Sequence, residues 1–352
     1  LARRFPRPVS SASQPIFPSR PIRSCRSRTR LWRPGAVHQR ERRPALTALA
    51  PPAAPNRTLA AAGAILGYAT IIGFTDNYVR VIAAEAGLWQ FHATRTAMAL
   101  VILALLAAPL GLRLRPRNLR AVAARSAIHG LAMVVYFGCL AFLTVAETAA
   151  GLFTAPIFVL LLSRFLYGHP LGPVRIAAVA IGFLGVMLVL LPQAQEGLRP
   201  AVVLPVAAGA LYAMGNLATR EWCAGESAET LTLGFFLSLG VLGLAGMGVL
   251  AILAPTAAEG ADGFLLRGPV WPTGTFLFWT LVQAAGSLLA VGMMVRAYQI
   301  AEASRVSVFE YVILPVSAAW SWAIWGQTVA PVSAAGMVLI FAAGAMIALR
   351  GR

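Results

Sequence analysis

The chain has 352 residues, 59% hydrophobic and only 12% charged, with a mean hydropathy of +0.74. Soluble globular chains are about 25% charged, so there is too little polar surface here to coat a water-soluble particle, and a soluble enzyme or nucleic-acid binder is excluded as the main body. The net charge of +17 is uneven: residues 1–55 hold twelve of the 29 basic residues and one acid, Glu41, and every basic residue in the chain is Arg.

Residues 1–55 are rich in Arg, Pro and Ser and hold no apolar run of signal-peptide length. Such a stretch buries too little surface to fold and is expected to be disordered. Three readings stand. The first is an upstream extension from an over-long gene model, favoured because the chain opens on Leu1 rather than Met. The others are a basic arm for an anionic surface and a transit peptide.

From Thr58 onward, apolar runs of spanning length recur, each near the ~20 residues a bilayer requires. Ten are predicted: 59–81, 89–110, 120–143, 146–166, 172–192, 200–220, 229–253, 272–295, 303–325 and 331–349. The first carries Asp76 and Asn77 near its far end, and the second opens with His92 and Arg95 at the same depth. The third begins with Arg125 and His129, one helical turn apart. The fifth has Gly182 and Gly185, the sixth Tyr212 and Asn216, and the seventh Gly240, Gly243 and Gly246. The eighth contributes Gln283 and Ser287, and the ninth Glu310 and Tyr311. The expectation is an all-α polytopic membrane protein of ten transmembrane helices.

Arginine placement orients it, since cytoplasmic loops carry the basic excess. With the N-terminus inside, the cytoplasmic breaks hold Arg113, Arg115, Arg117, Arg120, Arg164, Arg175, Arg220, Arg296 and Arg305, and the outer ones only Arg199 and Arg267, with Arg80 at a span end. Both termini are therefore expected in the cytoplasm. A chain rich in Ala, Gly, Pro and Arg, without Lys, is what GC-rich codons give, which points to a bacterial source and its inner membrane.

The two halves resemble each other. Gly168-His169-Pro170-Leu171-Gly172-Pro173-Val174 is echoed 158 residues later by Gly326-Gln327-Thr328-Val329-Ala330-Pro331-Val332, and Ala146-Glu147 is echoed by Ala301-Glu302. Domains of 56–192 and 193–352 follow. Five spans per repeat is an odd number, so the second copy enters the membrane inverted, as in secondary transporters, whose sites lie near the midplane where the repeats meet.

On these residues, together with Arg95 and Pro156-Ile157-Phe158, the chain over ~58–350 resembles the drug/metabolite transporter superfamily, EamA type. The resemblance implies an inner-membrane carrier of small metabolites, amino-acid-, nucleoside- or drug-like, with a central cavity and alternating access. That family commonly has Gly-Glu where this chain has Gly168-His169 and Gly326-Gln327, so any role of that Glu is not carried over.

Ionisable groups within spans need a partner or a wet cavity. Asp76 and Arg95 at equal depth suggest an ion pair, with His92 and Asn77 completing an outer polar group that either clamps an anionic solute group or locks two helices. Glu310 is bracketed in depth by Arg125 and His129, which makes it the candidate for proton coupling, or else a Glu neutralised by Arg125 or Arg305. Asn216 and Gln283 are expected to line a pocket with Tyr212 and Tyr311, or to serve as interhelical glue. Glu147 and Glu302 read as span-boundary markers. The three cysteines show no CxxC spacing and the four histidines no HExxH, so no metal site or other cofactor is expected. An intramembrane enzyme has no catalytic constellation to support it, and a non-transporting scaffold or sensor would need an interaction domain. The partners expected are a small solute, protons and lipid, with no nucleic acid. The chain is read as a monomer or homodimer.

Overall fold

The computed structural model describes residues 57–139, 145–193, 201 and 203–350; the tail 1–55 lies outside them. The described residues form helices, with short 3-10 turns and no strand: α1 Thr58–Asp76, α2 Val79–Glu85, α3 Leu88–Ala107, α4 Leu119–Cys139, α5 Val145–Leu152, α6 Ala155–Phe165, α7 Pro173–Leu190, α8 Val203–Glu221, α9 Ala228–Leu253, α10 Gly274–Ile300, α11 Ala303–Phe309, α12 Ile313–Trp325 and α13 Pro331–Arg350. Eight segments are long and apolar enough to cross a membrane: α1 with α2, α3, α4, α7, α9, α10, α11 with α12, and α13. The predicted runs 146–166 and 200–220 are helical as well. The first is divided into α5 and α6, and the second is α8, whose last turns carry Asn216, Thr219, Arg220 and Glu221.

Three of the predicted spans are interrupted. Beyond Asp76 the chain turns over Asn77 and Tyr78, whose amides fall back on the carbonyls of Phe74 and Thr75, and Asn77 Nδ2 bonds the Gly73 carbonyl at 2.6 Å. Between α5 and α6 the break spans Phe153 and Thr154, where the Thr154 hydroxyl donates to the Gly151 carbonyl at 2.6 Å. Pro156 follows, tolerated in the first turn of α6 because no N–H is required of it there. Between α11 and α12 the residues Glu310–Val312 tighten into a 3-10 turn, with Pro315 one turn on. An interrupted helix leaves backbone groups unpaired, which is tolerated within a membrane only against protein or a wet cavity.

The helices pack in a pattern. α7 lies on α13, α3 on α9, α1 on α10 and α12, α4 on α8 and α9, α5 and α6 on α8, and α3 on α10. If the first five predicted spans are exchanged for the second five, α3·α9 and α7·α13 map onto themselves. Likewise α1·α10 becomes α4·α8, α1·α12 becomes the packing of α5 and α6 on α8, and α3·α10 becomes α4·α9.

Small residues set the closest approaches. A Cβ on Gly185 would stand 2.6 Å from the Gly336 carbonyl oxygen, and one on Gly336 2.5 Å from that of Gly185. The Gly240, Gly243 and Gly246 stripe of α9 receives Thr96, Ala93 and Trp89 of α3, so it serves internal packing. Trp271 and Trp322 are 92% and 64% exposed. Neither Trp320 nor Trp322 lines the cavities described below; Trp320 instead donates to the Thr70 carbonyl at 3.0 Å.

Candidate functional site

The three breaks converge on one cavity of about 140 Å³. Asp76 comes from the end of α1, Leu152, Phe153, Ala155 and Pro156 from the α5–α6 break, and Glu310 and Ile313 from the break before α12. Rings form much of the wall: Tyr68, Tyr136, Phe137, Phe153, Tyr212 and Phe235. Arg95, His129, Gln283 and Ser287 add polar groups. Mostly apolar walls with a few placed polar groups are the usual make-up of a small-molecule site.

Glu310 is nearly buried, 8% exposed. Its Oε1 accepts a hydrogen bond from the Tyr298 hydroxyl and a longer one, 3.4 Å, from Asn216 Nδ2. Tyr212 donates to the sulfur of Met294 at 3.0 Å, and the His129 ring meets Tyr212 edge-on at 4.7 Å. At the other end of the cavity Asp76 Oδ1 accepts from Gln283 Nε2 at 2.8 Å.

The expected Asp76–Arg95 ion pair is not formed. α1 packs on α10, so Gln283 is the neighbour that reaches Asp76, while Arg95 on α3 contacts His92 Nδ1 at 3.3 Å and lies 4.9 Å from the Phe91 ring. Arg125 does not meet Glu310 either. α4 packs between α8 and α9, and there the fully buried Arg125 donates to Thr219 Oγ1 at 2.8 Å and to the Leu231 carbonyl at 3.1 Å, tying those helices together. Arg305 turns to Glu302, 2.7 Å away, not to Glu310.

Of the residues singled out in the sequence, Asp76, Arg95, His129, Tyr212, Gln283 and Glu310 line the cavity. Asn216 stands behind it, against Glu310. His92 stands behind Arg95, and Tyr311 is buried with its ring where a Cβ on Gly182 would fall, 2.5 Å away. Asn77 lines a wider vestibule of about 560 Å³, walled by Leu190, Pro192, Ser317, Ser321 and Gln327. Asp76, Tyr136, Phe153 and Ile313 belong to both spaces and form the neck between them. Tyr68, Phe153 and Tyr298 were not foreseen; the proline at 156 was the available signal for Phe153, and Tyr298 carried none.

The opposite end is closed by polar ties centred on the corner between α10 and α11. Glu302 Oε2 accepts from Arg175 of α7 and from Arg305 of α11. Arg175 also reaches Ser304 Oγ at 3.1 Å, and Arg220 of α8 donates to the Ala301 carbonyl. Gln299 Nε2 donates to the Glu226 carbonyl at 2.9 Å, and Glu226 Oε1 caps the amides of Arg117 and Asn118 at 2.8 and 2.7 Å. Glu302 is thus a junction between helices, more than a boundary marker.

Comparison with known proteins agrees with this architecture. Residues 59–191 match the EamA-like transporter family. A riboflavin transporter of Rhizobium johnstonii is 30% identical over 225 residues, 63% of this chain and 68% of that protein. The pseudopaline exporter CntI of Pseudomonas aeruginosa is 22% identical over 281 residues, 78% and 92% of the two chains. A solved crystal structure superposes with a TM-score of 0.66 at 20% identity, over 83% of this chain and 98% of the other, a likeness of fold alone. The chain belongs to the EamA-like transporters, of the drug/metabolite transporter superfamily.

Proposed function

We propose that this chain is a secondary carrier of small organic metabolites working by alternating access, with the cavity at the three helix breaks as its solute site. The observation that carries the reading is the asymmetry of access: the cavity continues through the Asp76–Tyr136–Phe153–Ile313 neck into a wide vestibule at one end and is shut by the Glu302 ties at the other. The proposed topology is ten spans in two five-span repeats of opposite orientation, 56–192 and 193–352, in the cytoplasmic membrane of a bacterium with both termini inside. The exchange symmetry of the helix packing supports the repeats, and the arginine distribution supports the orientation. On that topology the vestibule faces outward. Glu310, held by Tyr298 and Asn216 at the cavity wall, is proposed to couple solute movement to protons.

Relatives named for riboflavin and pseudopaline make polar organic metabolites the first solutes to assay. The test is counterflow of labelled riboflavin, amino acids and nucleosides in proteoliposomes. A saturable exchange is expected for at least one solute, abolished by Tyr136→Trp, which fills the neck, and retained by Trp322→Ala on the exposed surface. Failure of every solute with protein that melts cooperatively would overturn the carrier reading.

A further inference from the structure

A second concavity of about 660 Å³ lies apart from the solute cavity, between α1, α3, α9 and α10. Its walls are aliphatic, with Ala64, Ile102, Leu106, Leu288 and Leu289 among them, and Leu106 and Leu289 are exposed. Along α10 it runs from Ala285 to Arg296. Eleven residues at 1.5 Å rise make ~16 Å, about half the ~30 Å hydrocarbon core of a bilayer. The groove is therefore one leaflet deep. It ends where α3 stops, α9 starts and α10 nears its last turn, all at one end of the molecule.

Two charges stand at that end. Arg296 is exposed and, among the described residues, has no ion-pair or side-chain hydrogen-bond partner, unlike Arg113, Arg175, Arg220 and Arg305 at the same end. Glu229, in the first turn of α9, likewise has no ion-pair partner, and the two are too far apart to pair with each other. Three residues deeper, Thr232 has a buried hydroxyl with no hydrogen-bond partner. An apolar slot of leaflet length thus carries at its rim a cation and a carboxylate that do not pair with each other.

We propose that this groove is a binding site for phosphatidylethanolamine. One acyl chain lies along α10, the phosphate sits on Arg296 and the primary ammonium donates to Glu229. Charge complementarity selects this headgroup. Phosphatidylglycerol brings no cation for Glu229, and the trimethylated ammonium of phosphatidylcholine has no N–H to donate. The site is independent of the transported solute, and its test requires no transport.

The test is native mass spectrometry of the purified full chain with phosphatidylethanolamine, phosphatidylcholine and phosphatidylglycerol of identical acyl composition. Wild type is expected to retain phosphatidylethanolamine about fivefold better than phosphatidylglycerol, the worth of one charge at a membrane surface, and better than phosphatidylcholine, whose ammonium has no N–H to donate. Arg296→Gln is expected to lower retention of all three, and Glu229→Gln to erase the preference over phosphatidylglycerol. Both side chains lie at the rim, and Arg113→Gln serves as a charge-matched control that leaves the ratios unchanged. Equal retention of the three lipids by wild type overturns the proposal, as do ratios that neither Arg296→Gln nor Glu229→Gln alters.

Discussion

Asp76 and Glu310 sit at opposite ends of the cavity, and each is held by neutral donors, not by an arginine. A carboxylate whose partners are an amide or a phenol can take up or release a proton without breaking a salt bridge. Glu310→Gln is therefore expected to leave folding intact and to flatten the pH dependence of transport in proteoliposomes; an unchanged pH profile would remove Glu310 from coupling. For Asp76 the geometry calls for a double-mutant cycle with Gln283. Their coupling in detergent unfolding is expected at about 1.5 kcal/mol, the lower end for a hydrogen bond to a charged group, and larger than the coupling of Asp76 with Arg95. Beyond the spans, burial pushes the Cys223 thiol up to about 11, against the opposing pull of Arg125. At pH 7.5 it stays protonated, and maleimide is expected to label it far more slowly than an engineered cysteine at exposed Trp271. The acids themselves were legible as lone charges in apolar runs. Their partners were not, because depth along a span fixes the height of a side chain but not the direction in which its helix faces. Asp76 and Arg95 share a height, and the rotation of α1 toward α10 decides for Gln283.

At the scale of elements, hydropathy marked apolar runs, eight of which are long apolar helices among the described residues, but not the interruptions within 59–81, 146–166 and 303–325, since a two- or three-residue break barely changes a window of twenty. Those interruptions are what brings Asp76, Phe153 and Glu310 to one place. The second member of the sequence echo, Ala301-Glu302, stands at the turn before α11. The Glu302 junction yields a sharp test. In a background without native cysteines, Arg175→Cys with Glu302→Cys is expected to be bridged by a short bifunctional methanethiosulfonate and to stop transport, with activity returning on reduction; a bridged protein that still transports would show that this end need not open. The α7–α13 contact is tested by Gly185→Val. Its Cβ would meet the Gly336 carbonyl, and forcing the helices apart is expected to cost about 2 kcal/mol of stability, read as a lower midpoint in thermal unfolding. A midpoint equal to wild type would mean the backbones separate freely.

For the molecule as a whole, most of the main helix pairings have a counterpart when the first five predicted spans are traded for the second five, although the packing of α9 on α10 has none of like extent, and the side chains obey no such rule. The junction of Arg175, Glu302 and Arg305 closes one end, and Phe153 lines the vestibule at the other. Were the two halves identical in every residue, the conformers open to either side would be equal in energy and equally populated. On the proposed alternating-access cycle, what distinguishes them resides in differences between the halves, among them the arginines at 175 and 305 that hold Glu302. On that proposal the junction gives the carrier a preferred idle posture, waiting between cycles with its binding chamber presented to one compartment and sealed from the other.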